Sequence, residues 1–179
     1  MISAARLIER LRSQGVTHVV GLPDNSTAAL FAALRDEATM KLVSVTREGE
    51  AFAIAAGLWI GGAKPVVLIQ NTGFFESGDA IRGCATRMRI PLVCLVSYRG
   101  YLKMKRAGME PSLALLTPEN LSRPDQDSCA FLLEPTLRAW GIPYEGLASD
   151  DDLPAIATAF AEAQQRESAV ARLIVEDTV

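Results

Sequence analysis

The stretch KLVSVTREGEAFAIAAGLWIGGAKPVVLIQ, residues 41–70, decides the fold. Lys41–Val45 reads as a strand, and Pro65–Gln70 is an apolar run without polar alternation. A run of that kind marks a strand buried on both faces, as in a parallel sheet covered by helices. Residues 48–61 between them are alanine-rich and long enough for a helix.

The same alternation continues on both sides. Residues 3–14 place Ala4, Leu7, Ile8 and Leu11 at helical spacing, and Gly15 ends the turn. Val16–Leu22 is predicted as a strand, and Pro23–Ser26 turns the chain into a helix that runs to Leu34. Downstream, residues 75–88 read as a helix and Pro91–Ser97 as another buried strand. An irregular segment follows. Helix returns over 128–139, a short strand follows Ile142–Tyr144, Asp150–Arg166 is helical, and Ala169–Val175 is a final strand. The expectation is one α/β domain over residues 1–179. It is a three-layer αβα arrangement around a mostly parallel, six-stranded sheet. Ligands of such sheets sit beyond the carboxyl ends of the strands. Four segments lie there: Gly21–Ser26, Arg47–Glu50, Gln70–Gly78 and Ser97–Gly108.

Composition narrows the function classes. Hydrophobic residues make up 49% of the 179-residue chain and charged residues 22%, so a sizeable core can form and disorder is not expected. A net charge of −3 lacks the basic excess of a dedicated nucleic-acid binder. Cys84, Cys94 and Cys129 are far apart and His18 is the sole histidine, so no metal-ligand spacing exists. The cysteines read as packing thiols in a reducing, cytoplasmic setting. The amphipathic opening MISAARLIERLRSQG does not resemble a secretory signal, and no apolar run approaches the length of a membrane span.

Among possible chemical groups, Glu48 stands out. A carboxylate opens a helix of small and apolar residues, where strand ends and helix starts converge. Burial there disfavours the charged form of a carboxyl group. The bland alternative is that Glu48 and Glu50 only favour the helix N-terminus through its dipole.

REGEAFAIAAGLWIGG, with Gly57 nine residues after Glu48, resembles the helix that carries the catalytic glutamate in the pyrimidine domain of thiamine diphosphate enzymes. GLPDNSTAALF resembles that family's Gly-x-Pro turn after the first strand. LIQNTGFFESGDAIRG, IPLVCLVSYRG and LRAWGIPYEGL resemble, in order, segments of sulfopyruvate and phosphonopyruvate decarboxylases. The resemblance implies that Glu48 is the catalytic residue and bonds the aminopyrimidine ring of thiamine diphosphate. General acid–base help of this kind is worth roughly 10²–10⁴-fold.

It also implies a cofactor pocket lined by Asn71, Thr72 and Gly73, although an ordinary strand-to-helix turn would use the same residues. Phe74-Phe75-Glu76 departs from the family's more usual Leu-Gly-Asn. Pro23, Asp24 and Asn25 are expected at the substrate end. Asp24 is a candidate for proton transfer there, with helix capping the competing account. Arg99 opens the basic, aromatic segment Tyr98–Arg106, which reads either as a solvated loop or as a lid that attracts a sulfonate, phosphonate or carboxylate. His18, among valines, is expected to be a packing histidine.

Family members grip the diphosphate through Mg2+ with a Gly-Asp-Gly motif and a later Asn. Here the only Gly-Asp, Gly78-Asp79, is followed by Ala80. The expectation is therefore an alpha-type subunit of a hetero-oligomer. A beta-type partner chain would bind the diphosphate and Mg2+, and a small acidic 2-oxo acid would be the substrate. A carboligase subunit of the same family and a non-catalytic module of the same fold are the rivals.

Overall fold

The computed structural model describes residues 1–179. In chain order the elements are α1 (Ala4–Ser13), β1 (His18–Gly21), α2 (Ala28–Arg35), β2 (Lys41–Ser44), α3 (Glu48–Ile60), β3 (Pro65–Gln70), α4 (Asn71–Glu76) and α5 (Gly78–Ala80). A π-helical turn, Ile81–Arg87, continues α5. Then come β4 (Val93–Ser97), α6 (Tyr101–Arg106), α7 (Pro118–Leu121), α8 (Ser128–Ala139), β5 (Tyr144–Leu147), α9 (Ala155–Arg166) and β6 (Val170–Ile174).

The six strands form one sheet in the order β2-β1-β3-β4-β6-β5, and every pairing is parallel. The three-layer α/β architecture expected from the sequence is what forms. β3, β4 and β6 lie inside the sheet, and their residues are buried almost throughout, which is why they lack alternation. Their side chains feed two cores. Val67, Ile69, Cys94 and Val96 meet α3, α4 and α8, while Val66, Leu68, Val93 and Leu95 meet α1, α2 and α9. Edge strand β2 is only partly covered.

Several boundaries differ from the sequence reading. α4 starts at Asn71, immediately after β3, instead of at residue 75. It gives way at Ser77 to α5 and the π turn, so one expected helix is three short pieces. β1 is shorter than Val16–Leu22, because only His18–Gly21 finds partners on both sides. The irregular stretch after β4 contains α6 and α7, with Tyr98 and Met104 buried.

Strand order positions the site. The chain leaves β1 for β2, then crosses back through α3 to β3 on the other side of β1. The direction of winding therefore reverses between β1 and β3, and the crevice lies at their carboxyl ends. Gly21 closes β1 there. A Cβ at this position would lie 1.8 Å from the Leu68 carbonyl oxygen, so only glycine permits the approach of the two strands.

Candidate active site

Glu48 is the first residue of α3 and is half-buried at the carboxyl edge of the sheet. The helix forms around it for local reasons. Arg47 is extended, and the Glu50 carboxylate reaches back to accept from the backbone N–H groups of Thr46 (3.1 Å) and Arg47 (3.3 Å). Those backbone bonds, with the Thr46 hydroxyl, hold the Glu50 carboxyl below its ordinary range. Ala51, Phe52, Ala55 and Ala56 bury the inner face of α3. Complete burial of Phe52 stabilises by roughly 1.5–3 kcal/mol.

The side chain of Glu48 lies over Gly73 in α4. A Cβ on Gly73 would come within 2.2 Å of Glu48 Cγ and 2.5 Å of its Cδ. Gln70, the last residue of β3, donates from Nε2 to Glu48 Oε1 over a long 3.4 Å. Oε2 accepts no hydrogen bond within the chain. Next to Gly73, the Thr72 hydroxyl oxygen is buried without a partner. Asn71 is fully buried: its Oδ1 accepts from the Thr72 N–H and its Nδ2 donates to the Arg99 carbonyl (2.9 Å).

Glu48, Asn71, Thr72 and Gly73 are thus brought together. The carboxyl oxygen of Glu48 that has no partner in the chain fits the polar edge of a heterocycle such as an aminopyrimidine, whereas the Thr72 hydroxyl is enclosed within the protein.

The expected substrate-side residues are placed differently. Pro23 and Asn25 are exposed beyond β1. Asp24 is held within the chain. Its Oδ1 accepts from the backbone N–H groups of Ser26 (2.8 Å) and Thr27 (3.2 Å), and its Oδ2 from the hydroxyls of Thr27 (2.9 Å) and Ser97 (2.7 Å). That carboxylate organises the entry to α2 and ties the end of β1 to the end of β4. Arg99 is exposed and pairs through Nε with Asp127, the N-cap of α8, at 2.7 Å. Lys103 and Arg106 are exposed beside it on α6, while Met104 anchors that helix in the core. His18 begins β1 and so lies at the opposite end of the strand from the crevice, with Nδ1 2.9 Å from the Thr17 hydroxyl. Cys94 is buried in β4, and burial pushes its thiol far above the ordinary range.

Three residues fall in segments the sequence placed at the strand ends but were given no individual role there: Gln70, Ser97 and Glu76. The Glu76 carboxylate pairs with the Arg47 guanidinium at 2.6 Å and accepts from the Gly49 N–H. Phe74 turns into the core, its ring 6.4 Å from Phe52 and 5.5 Å from Trp140. The spacing of Gln70, Gly73 and Glu76, three residues apart each, was the available signal, but it is visible only once α4 is known to start at Asn71.

Comparison with known proteins gives a consistent result. A family model described as "Thiamine pyrophosphate enzyme, N-terminal TPP binding domain" matches residues 1–116. The chain is 35% identical over 100 residues to the phosphonopyruvate decarboxylase of Streptomyces viridochromogenes, covering 56% of this chain and 25% of that protein. It is 29% identical over 111 residues to the sulfopyruvate decarboxylase subunit alpha of Methanococcus maripaludis, covering 62% of this chain and 66% of that one. The chain therefore spans less than two thirds of either relative. Among solved structures, benzoylformate decarboxylase from Polynucleobacter necessarius superposes with a TM-score of 0.66 at 21% identity, over 97% of this chain and 30% of that one. At that identity the likeness speaks for the fold alone.

Proposed function

We propose, from the premise that this chain belongs to the thiamine pyrophosphate enzymes and carries their N-terminal TPP-binding domain, that it is the pyrimidine-binding, alpha-type subunit of a 2-oxo acid decarboxylase. Sulfopyruvate, yielding sulfoacetaldehyde and CO2, is the first substrate choice. Phosphonopyruvate is the second, favoured by the 35% identity to a decarboxylase of that name. The observation that carries the reading is the Glu48 carboxyl, set across Gly73 with Oε1 on Gln70 and Oε2 without a partner in the chain.

Thiamine diphosphate, when bound, supplies the carbanion chemistry that decarboxylation needs. This chain's residues would hold its pyrimidine end. Glu48 Oε2, which has no partner in the chain, would bond the ring nitrogen and hold or pass a proton there. Asn71, fully buried and bonded to the Arg99 carbonyl, would brace the floor of that pocket. The Arg99 guanidinium, beside Lys103 and Arg106, would attract the acidic end of the substrate, sharing its charge with Asp127.

The diphosphate and its Mg2+ would be held by a partner chain. Gly78-Asp79 is unsuited to that task here, because it lies in a helical turn with Asp79 paired to Arg82 at 2.6 Å.

The test is CO2 release from sulfopyruvate, phosphonopyruvate and pyruvate by the chain co-expressed with a diphosphate-binding partner, with Glu48→Gln alongside. The expected result is turnover of an acidic 2-oxo acid only when both chains are present, reduced roughly 10²–10⁴-fold by Glu48→Gln. Wild-type turnover by the Gln variant would remove Glu48 from the chemistry, and full activity without a partner would remove the two-subunit arrangement.

A further inference from the structure

We propose that Gln70 and Glu76 are positioning residues for Glu48, and that together with Gly73 they form a three-point cradle fixing which carboxyl oxygen faces the crevice. The inference rests on the reading of Glu48 given above and deepens it.

The three residues stand three apart along the junction of β3 and α4, so Gly73 and Glu76 share one face of that helix. Each acts on a different part of the first turn of α3. Gln70 donates to Oε1, which leaves Oε2 as the free oxygen. Gly73 removes the Cβ that would otherwise occupy the place of the Glu48 stem. Glu76 grips the turn itself, accepting from the Gly49 N–H while Arg47 neutralises its charge at 2.6 Å.

Glu76 caps the Gly49 N–H, one of the N-terminal donors of α3, from outside the helix. Glu50 accepts from the N–H groups of Thr46 and Arg47, just ahead of α3, and does not reach Gly49. The bond from Gly49 to Glu76 instead joins α3 to α4, the element that carries Gly73 and Thr72. The glycine at 49 fits the same account. A Cβ there would lie 2.8 Å from a Glu76 carboxylate oxygen, so any other residue would push Glu76 aside. Rotation or sliding of the α3 start relative to α4 is thereby blocked on both sides of Glu48. A catalytic group displaced by about 1 Å can lose on the order of 10²-fold in rate.

The experiment compares Gln70→Leu, Glu76→Ala, Glu76→Gln and Glu48→Gln in the chain assembled with its diphosphate-binding partner. kcat and KM are measured together with the Kd for thiamine diphosphate by calorimetry. The chain by itself is followed by hydrogen exchange at the Gly49 amide.

Gln70→Leu and Glu76→Ala are expected to lower kcat by about tenfold or more, with KM and coenzyme Kd within about twofold of wild type. Glu76→Gln keeps an acceptor for Gly49 and is expected to restore most of kcat. Exchange at Gly49 should speed up in Glu76→Ala and not in Gln70→Leu. Wild-type kcat in both Gln70→Leu and Glu76→Ala, beside an inactive Glu48→Gln, would overturn the cradle and leave the role of Glu48 standing. So would losses of kcat that merely track losses of coenzyme affinity. An active Glu48→Gln would overturn both. Should Glu76→Ala fail to fold, Gly49→Ala displaces the same carboxylate and takes its place with the same expected outcomes.

Discussion

Glu48 lies so close over Gly73 that a single added methyl group at 73 would sit 2.6 Å from Glu48 Cβ and 2.2 Å from its Cγ. The clash involves the root of the side chain as well as its mobile end. Within a helix, replacing glycine by alanine normally gains roughly 0.5–1 kcal/mol. Here the sign should reverse. Gly73→Ala is expected to cost about 1–3 kcal/mol through overpacking, read as a lower urea midpoint, and to lose turnover on the order of 10²-fold as Glu48 is displaced. A stabilised, active Gly73→Ala protein would show that the two elements separate without consequence.

Asp24 joins the end of β1 to the end of β4 through Ser97, and it holds the entry of α2 through two backbone N–H groups and the Thr27 hydroxyl. Its carboxylate is thus committed to structure. Asp24→Ala should destabilise the chain by roughly 1–3 kcal/mol, since it removes the Asx turn ahead of α2 and leaves part-buried donors unpaired. Chemical denaturation measures this directly. An unchanged midpoint would return Asp24 to the pool of free, substrate-facing groups.

Acid stability should depend on Glu37, in the connection between α2 and β2. Hydrogen bonds from the Thr39 hydroxyl and amide, and then from Arg12 at 2.6 Å, hold its carboxyl at about 2, below an ordinary value of 4.5. A carboxyl lowered by folding contributes stability that is fully present above the unfolded value and disappears as pH falls through the folded one. The advantage of wild type over Glu37→Gln should therefore be constant above about pH 4.5 and shrink as pH falls toward 2. Denaturation midpoints at a series of pH values test this, and a gap that stays constant down to pH 2 would contradict it.

How much of this was legible in the sequence varies with the kind of residue. Strands such as PVVLIQ and PLVCLVS announced themselves, because burial on both faces removes polar alternation. The α3 helix announced itself through its small residues and the carboxylate at its head. The start of α4 was hidden, since NTG looks like a turn by composition. Only the structure shows that Gly73 is helical and is glycine to make room for Glu48. Glu76 was hidden for a related reason. Its partners, Arg47 and Gly49, are more than 25 residues earlier in the chain, and no local pattern links them. Asp24 was ambiguous because capping and catalysis draw on the same residue types, and its bond to Ser97 is a long-range contact that spacing cannot reveal.

The most direct measurement is an experimental structure of the assembled two-chain protein with thiamine diphosphate bound. The distance to read is that from Glu48 Oε2 to the nearest nitrogen of the aminopyrimidine ring. A separation within hydrogen-bond reach, about 2.6–3.2 Å, with Oε1 still on Gln70, is the predicted result. A ring bound away from Glu48, or an assembled protein that takes up no coenzyme, would contradict the account.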